Sequence, residues 1–279
     1  MRIFLFLLCF FSLTPVFADN VILMIGDGMG KNHISCTAKT HPLFLAGNKP
    51  IGEIQTYSAN NAITDSAAGA TAYACGIKTN NKFLGITPQK EACKTLAEES
   101  YERGYTPLII TTDILTGATP SAFYAHIDSR YKTKEIEQML AKAQEKIFIK
   151  SVQYIDKETK EILSTLSTSS TPFFMMIEES EIDKQSHNNN YQKMQEALIR
   201  FDNAVQTAVN FSNKRKDTTV IIVADHETGG LTDSCQFTKD NHTGENVYYY
   251  VFGQHKNLFT EPVLQNTDIH HKIKEILFK

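Results

Sequence analysis

The stretch Asn20–Gly30, NVILMIGDGMG, decides the fold class of this chain. Its first part, Asn20 to Ile25, is a short and nearly continuous apolar run, which is typical of a strand buried on both faces of a parallel sheet. The run stops at two glycines that flank Asp27, so Asp27 is predicted at the carboxyl end of the first strand. Ligands bind at the carboxyl ends of strands in open α/β sheets. Asp27 is therefore a candidate functional residue.

Three later segments have the same buried-strand pattern, namely 106–111, 173–177 and 218–224. Helical patterns lie between the strands. We expect helices over 31–39, 87–103, 133–146, 157–166, 190–211 and 268–278, a second strand over 50–57 and an edge strand over 247–252. Strands that alternate with helices predict an α/β fold, a three-layer α/β/α sandwich with a central, mostly parallel sheet.

A second informative stretch is Thr64–Gly76, TDSAAGATAYACG. It is typical of a tight turn that opens into a helix of small side chains, which can lie very close to its neighbours. Ser66 would stand in the first turn, where free backbone N–H groups and the positive end of the helix dipole favour an anion such as phosphate. Asp and Ser are also common helix-capping residues, so this stretch alone leaves both interpretations open.

The first 18 residues have the features of a secretory signal peptide: Arg2, an apolar run too short to span a membrane, and a small-residue site at Ala18. We expect an exported protein, periplasmic or secreted, with one catalytic domain over 19–279 and no membrane span. The formal net charge of the whole chain is −3, and the lysines are scattered rather than arranged in a basic stripe. This composition argues against nucleic-acid recognition.

Four cysteines follow the predicted signal peptide: Cys36, Cys75, Cys93 and Cys235. In an oxidising compartment one or two disulfides are expected, and three complete pairings remain open. No CxxC pair is present, which argues against a thiolate zinc site.

Potential metal ligands follow the predicted strands with unusual regularity: Asp27, Glu178, Asp225 and His226. Asp183 and His187 are four residues apart, so one helical turn would point both at the same atom. With His242 these residues provide oxygen and nitrogen ligands suited to zinc, and the oxygen-rich remainder suits magnesium. A dinucleotide site is disfavoured, because GDGMG lacks the third glycine of that motif and its aspartate would repel a pyrophosphate.

Taken in order, six motifs resemble those of alkaline phosphatases and extend over nearly all of 19–279: VILMIGDGMG, TDSAAGATAYACG, GATPSAFYAHIDSR, MIEESEIDKQSH, VIIVADHETGG and HTGENV. The resemblance implies Ser66 as the nucleophile, Arg130 as the phosphate-binding guanidinium and Lys184 as a second residue near the phosphate. It also implies three metal sites. Their ligands would be Asp183, His187 and His242 for one zinc, Asp27, Asp225 and His226 for a second zinc, and Asp27, Thr119 and Glu178 for a magnesium ion.

The sequence departs from the family pattern in two ways. Gly117 stands two residues before Thr119, where the family generally has an Asp or His that supports the third metal. The chain is also short between Arg130 and Glu178 and between His226 and His242, which leaves little room for the subdomain that many relatives insert. The resemblance is compatible with a homodimer, but dimer contacts made by such insertions are not implied.

The activity that the resemblance implies is hydrolysis of small phosphomonoesters through a phosphoserine at Ser66, with release of inorganic phosphate at alkaline pH. Two alternatives remain open at this level. One is a related enzyme that acts on phosphodiesters, phosphonates or sulfates with the same two-metal core. The other is a secreted binding protein that has kept the fold and lost turnover. A dinucleotide-dependent oxidoreductase is the least favoured reading.

Overall fold

The computed structural model describes residues 18–279, so the signal peptide predicted over 1–18 lies outside the described residues apart from Ala18. The strands are β1 Asn20–Gly26, β2 Gly52–Gln55, β3 Thr106–Thr111, β4 Phe148–Ser151, β5 Phe173–Glu179, β6 Thr218–Val223, β7 Glu227–Thr228, β8 His242–Thr243, β9 Val247–Gly253 and β10 Val263–Gln265. The helices are α1 Lys31–Ala38, α2 Phe44–Gly47, α3 Ser66–Cys75, α4 Leu96–Glu102, α5 Ala118–Ser121, α6 Thr133–Ala143, α7 Ile155–Leu166, α8 Glu181–His187, α9 Tyr191–Lys214 and α10 Asn266–Leu277, with a 3₁₀ turn at Lys256–Leu258.

Eight strands form one sheet in the order β10-β2-β9-β6-β1-β5-β3-β4. The five strands from β6 to β4 run parallel, and β9 is antiparallel to both of its neighbours. Every residue of β1, β5 and β6 is buried, as their continuous apolar runs predict. Helices α1, α2, α7 and α8 pack around α9, whereas α3, α4 and α10 pack together as a separate group. The predicted α/β fold with a mostly parallel sheet between helices is confirmed.

Two predicted elements are wrong. The helix expected over 87–103 begins only at Leu96, because the segment before it forms a turn closed by Lys90 and Thr87 and a bridge between Ile86 and Ala92. Thr95 then starts α4 through a capping box with Glu98, a stronger start signal than the proline at position 88.

The strand predicted at an edge is internal. β9 lies between β2 and β6, and both of its edges carry hydrogen bonds. The edge strand of the sheet next to β2 is β10, which has only three residues, Val263–Gln265. The sequence did not predict this strand. Such a short edge strand offers little free backbone for pairing with another chain.

Of the three complete pairings that the four cysteines allow, the structure has the one with disulfides Cys36–Cys235 and Cys75–Cys93. The first joins α1 to the long segment between β7 and β8. The second joins the end of α3 to the turn before α4. Within residues 18–279, no helix combines the length and the apolar composition needed to cross a membrane.

Candidate active site

The polar residues predicted at strand ends meet at one edge of the sheet. β6, β1 and β5 are adjacent and parallel, so their carboxyl ends lie side by side. Asp27 follows β1 directly, Glu178 is the penultimate residue of β5, and Asp225 follows β6 after one residue. Gly28 continues the turn after β1 with φ +71°, and a side chain there would lie 2.9 Å from the backbone of Asp183. Glycine therefore allows β1 to end directly against α8.

One group of ligand atoms, the histidine cluster, comprises Asp183, His187 and His242. Asp183 and His187 are on successive turns of α8, and Asp183 Oδ1 lies 3.4 Å from His187 Nε2. His242 comes from β8 and places its Nε2 atom 3.6 Å from Asp183 Oδ1 and 3.1 Å from His187 Nε2. Three potential ligand atoms thus lie close together, two of them from α8 and the third from β8.

Hydrogen bonds at the outer nitrogens set the tautomers of both rings in the histidine cluster. His187 Nδ1 lies 2.5 Å from the carbonyl oxygen of Asp240, and His242 Nδ1 lies 2.9 Å from that of Thr64. A carbonyl oxygen only accepts, so each Nδ1 carries the proton and each Nε2 presents a lone pair. Two lone pairs 3.1 Å apart repel each other unless a cation lies between them. This arrangement fits a zinc ion.

A second group, the aspartate cluster, comprises Asp27, Asp225 and His226 and is buried. His226 Nε2 lies 3.4 Å from Asp27 Oδ1 and 3.2 Å from Asp225 Oδ2. Both of these carboxylate oxygens lack a hydrogen-bond partner among the described residues. Buried polar atoms without partners are rare in native proteins, and a cation would satisfy them. The donor set again fits zinc.

Thr228 joins the two clusters and was missed in the sequence. Its hydroxyl donates to Asp183 Oδ1 over 2.5 Å and lies 3.2 Å from His226 Nδ1. A hydroxyl has one hydrogen, so it accepts from His226 Nδ1–H and leaves Nε2 of that ring free to bind. The signal in the sequence is the spacing in DHET, because residues 226 and 228 of an extended segment point to the same side.

A third group of oxygen atoms, the third site, is formed by Asp27, Thr119 and Glu178. Thr119 Oγ1 and Glu178 Oε1 are buried and have no hydrogen-bond partner within residues 18–279. The other carboxylate oxygen of Glu178 accepts from the hydroxyl of Thr111. Carboxylate and hydroxyl oxygens are ligands that magnesium prefers.

In the chain without bound ions, burial and neighbouring charges disfavour the charged forms of these groups. Burial raises the pKa of Asp27 well above its ordinary value, and the Asp225 carboxylate raises it further. Burial also raises the pKa of Asp225 and of Glu178, with Asp183 and Asp113 as the respective neighbouring charges. The pKa of His226 is lowered by burial and by the adjacent His242 ring. Bound cations would relieve this conflict, because they stabilise the ionised carboxylates and accept the lone pair of a neutral histidine.

Ser66 is the first residue of α3, and its Oγ atom lies 3.2 Å from His226 Nε2. Asp65 caps the helix by accepting from the N–H of Ala68 at 3.0 Å. The Asp65 carboxylate also lies 3.6 Å from Nη1 of Arg130, so one residue both caps the serine helix and faces the guanidinium. The structure therefore brings Ser66 to the aspartate cluster and Arg130 to the residue next to Ser66.

Lys184 lies on α8 between Asp183 and His187, the two predicted ligands of that helix, and its ammonium group already has partners. Its Nζ atom lies 2.8 Å from Asp113 Oδ1, 3.0 Å from Ser180 Oγ and 3.4 Å from Glu181 Oε1. These contacts raise the pKa of Lys184 despite the opposing effect of burial, which is the largest single contribution. The ammonium charge is therefore retained beside Asp113.

The model of the family described as alkaline phosphatase matches residues 18–158 and 151–237, which include β1, α3, Arg130 and the ends of β5 and β6. The chain belongs to the alkaline phosphatase family. His242 lies beyond the matched residues, so its place in the histidine cluster rests on the geometry above.

Curated alkaline phosphatases resemble the chain over most of its length. It is 24% identical to the repressible alkaline phosphatase of Saccharomyces cerevisiae over 78% of this chain and 56% of that protein. It is 26% identical to alkaline phosphatase 4 of Bacillus subtilis over 80% of this chain and 64% of that protein. The chain thus spans less than two thirds of the length of these relatives.

Solved alkaline phosphatases share the fold. The enzyme from the Antarctic bacterium TAB5 superposes with a TM-score of 0.84 at 27% identity, over 93% of this chain and 98% of that chain. A variant of the TAB5 enzyme that was solved with Mg bound gives a TM-score of 0.83 at 26% identity, with the same coverage of both chains.

Proposed function

We propose that this protein hydrolyses small phosphomonoesters in a metal-dependent reaction through a phosphoserine at Ser66, with release of inorganic phosphate at alkaline pH. The observation that carries the proposal is the position of the Ser66 hydroxyl. It stands at the positive end of α3, 3.2 Å from Nε2 of His226, beside buried carboxylate oxygens that have no hydrogen-bond partner among residues 18–279. Membership of the alkaline phosphatase family supports the same reaction class.

The donor sets fit two zinc ions and one magnesium ion. The histidine cluster would hold one zinc, the aspartate cluster the second, and the third site magnesium, as its oxygen-only ligands favour. A similar enzyme, a variant of the TAB5 alkaline phosphatase, was solved with Mg bound, which supports magnesium as one of the metals. When bound, the metals would lower the pKa of the Ser66 hydroxyl and of water, and would neutralise charge on the attacking and leaving oxygens.

The residues of the chain bind and orient the phosphoryl group. Arg130 would hold two non-bridging oxygens with its planar fork, and Asp65, whose carboxylate lies 3.6 Å from Arg130 Nη1, would help to orient the guanidinium. The backbone N–H groups at the start of α3 add positive potential. A dianionic monoester fits this surplus of positive groups better than the singly charged diester or sulfate.

The serine then exchanges one ester bond for another. Ser66 gives its hydroxyl proton to water, its Oγ atom attacks phosphorus in line with the leaving oxygen, the bond from phosphorus to that oxygen breaks, and the alcohol leaves with a proton from water. A second water then attacks the phosphoserine from the vacated side, the bond from phosphorus to Ser66 Oγ breaks, a proton from that water returns to Ser66 Oγ, and inorganic phosphate is released. His226 does not act as the base for Ser66 in this scheme, because its Nε2 lone pair is used as a ligand.

We propose an exported location for the protein, periplasmic or secreted. The two disulfides support it, because such bonds persist in oxidising compartments. The predicted signal peptide points the same way but lies outside the described residues.

The test is hydrolysis of a chromogenic phosphomonoester, compared with the matching diester and sulfate, at alkaline pH. We expect monoester turnover that is lost after chelation and restored by zinc. Ser66→Ala should reduce turnover by roughly 10³-fold or more while zinc content stays the same. Ser35→Ala, an exposed serine on α1, is the matched control and should keep full turnover.

Other outcomes would reject the proposal in distinct ways. Full turnover by Ser66→Ala would exclude the phosphoserine. Zinc-bound protein that hydrolyses only the diester or the sulfate would show that the substrates are not phosphomonoesters. Protein that takes up no metal and shows no turnover would indicate a binding protein with the phosphatase fold.

A further inference from the structure

The space beside Gly117 is filled by the side chain of Asp113. Gly117 precedes α5 with φ −59° and ψ 159°, a conformation open to any L-residue. A Cβ atom at this position would lie 2.0 Å from Asp113 Oδ2 and 2.6 Å from Asp113 Cγ. The absence of a side chain at position 117 is therefore matched by a carboxylate that enters the same volume from four residues earlier.

Asp113 is held in place through both its carboxylate and its backbone N–H. Its Oδ1 atom accepts from Lys184 Nζ at 2.8 Å. Its backbone N–H donates to Thr111 Oγ1 at 2.8 Å, and the same hydroxyl donates to Glu178. Only one threonine separates Asp113 from a predicted ligand of the third site. The side chain of Asp113 is 19% exposed, so the carboxylate lies largely within the protein.

A magnesium ion in the third site would also need water ligands. The protein oxygens of that site come from Asp27, Thr119 and Glu178, and magnesium is octahedral and usually keeps several waters. Waters bound to a cation donate strongly, so they require acceptors in the wall of the site. Gly117 precedes Thr119 by two residues and offers no side chain for this purpose, whereas Asp113 Oδ2 occupies the space beside Gly117, 2.0 Å from where a Cβ atom of that residue would lie.

We propose that Asp113 is a positioning residue of the third metal site, supplying from the loop after β3 the carboxylate that position 117 lacks. It accepts from the waters of a hard divalent cation and holds the Lys184 ammonium beside that cation. The proposal rests on the proposed function, because it assumes that the site holds such a cation. It adds a residue that neither the strand ends nor the ligand spacing indicates.

The experiment moves the carboxylate between the two positions and measures Mg²⁺ binding to the zinc-loaded protein by calorimetry and elemental analysis. Asp113→Asn keeps the shape and removes the charge, and we expect about 10- to 100-fold weaker Mg²⁺ affinity with zinc content unchanged. Asp113→Ala should be similarly weak. Adding Gly117→Asp to Asp113→Ala should recover most of the lost affinity, because the new side chain occupies the vacated space.

The matched control is Asp233→Asn, an exposed aspartate in the segment between β7 and β8, which should bind Mg²⁺ like the wild type. Wild-type affinity in Asp113→Asn would overturn the proposal. So would a double variant that binds no better than Asp113→Ala while retaining its zinc and its melting temperature. If the double variant does not fold, Asp113→Asn decides alone.

Two different results would distinguish a failure of this inference from a failure of the proposed function. A wild-type chain that binds zinc and hydrolyses the monoester, yet takes up no Mg²⁺, would overturn the role of Asp113 and leave the function. A wild-type chain without zinc and without turnover would overturn both.

Discussion

Thr228 shows how one hydroxyl can orient two predicted metal ligands. It donates to Asp183 and accepts from His226, so it orients a carboxylate of the histidine cluster and selects the tautomer of a ring in the aspartate cluster. Partners of this kind are as much part of a metal site as the ligands themselves. A change here should therefore alter both predicted zinc sites at once.

Thr228→Val keeps the branched shape of the side chain and removes its hydroxyl. We expect about 10- to 100-fold weaker zinc affinity, because Asp183 loses a donor and His226 loses the acceptor that holds its proton on Nδ1. Competition with a chromogenic chelator measures the change. Thr165→Val, at an exposed position on α7, serves as the control. Unchanged zinc affinity in Thr228→Val would show that the two ligands are positioned without it.

At the scale of single elements, α3 is built to bring Ser66 against the ends of the strands. All ten of its residues are buried, and they include only small side chains apart from Tyr73. A Cβ atom at Gly69 would lie 3.1 Å from both the Cβ and the carbonyl oxygen of Asp225, so the helix backbone lies directly on the residue that follows β6. The predicted close approach of this helix is thus present, and Asp65 determines where the helix begins.

The N-terminal cap of α3 can be tested by comparing two variants of Asp65. Both Asp65→Ala and Asp65→Ser lose the contacts with Arg130 and with the Lys82 N–H, but serine still accepts from the helix N–H groups. We expect Asp65→Ala to be less stable than Asp65→Ser by about 1 kcal/mol. Denaturant unfolding measures the difference. Equal stability of the two variants would mean that the cap contributes nothing measurable.

His270 joins α10 to α3, and its burial makes their packing sensitive to acid. Its Nδ1–H donates to the carbonyl of Tyr73 at 3.1 Å, and burial lowers the pKa of His270 to about 4. The unfolded chain has a histidine pKa of about 6.5. Between these values the unfolded state binds more protons, so stability rises with pH from about 4 to about 6.5 and is constant above.

His270→Asn keeps a donor for the Tyr73 carbonyl and removes the titration. We expect its free energy of unfolding to fall less steeply than that of the wild type as pH drops from 6.5 to 4, by up to about 3 kcal/mol at the lower end. Unfolding curves over this range measure it, with pH 8 as the reference at which this histidine is neutral in both states. The slope should not vanish, because burial also lowers the pKa of His33. Parallel curves would contradict the assignment.

For the molecule as a whole, the two disulfides differ greatly in the length of chain that they close. Cys36–Cys235 spans 199 residues and attaches to α1 the segment that leads into β8 and His242, whereas Cys75–Cys93 spans 18 residues within one region. The longer connection restricts the unfolded chain more. It also restrains the segment that precedes His242 of the histidine cluster.

Replacing each cysteine pair with serine should separate these effects. The loop-closure model gives a loss of about 5 kcal/mol for Cys36→Ser with Cys235→Ser and about 3 kcal/mol for Cys75→Ser with Cys93→Ser, as upper estimates. We expect the first variant to have the lower melting temperature and the weaker zinc affinity. A larger loss for the second variant would show that packing around α3 and α4 outweighs chain entropy.

The sequence predicted most of the fold and the place of the site. Continuous apolar runs predicted β1, β3, β5 and β6, because a strand buried on both faces must be apolar throughout. The adjacency of those strands then brings Asp27, Glu178 and Asp225 to one edge. The helical spacing of Asp183 and His187 likewise needs only local geometry. The helix expected from residue 87 begins only at Leu96, because a turn between Thr87 and Lys90 precedes it and the capping box at Thr95 is a stronger start signal than the proline.

By itself, the sequence determined the α/β class, the buried strands and the residues that end them, since burial and local hydrogen bonding act within short segments. Only the tertiary structure decided which cysteines pair, where β9 lies in the sheet, and that Thr228 links two clusters. It also decided that Asp113 fills the space at Gly117. Most of these features depend on how distant segments pack against one another, and the periodicity of a single segment does not contain that information.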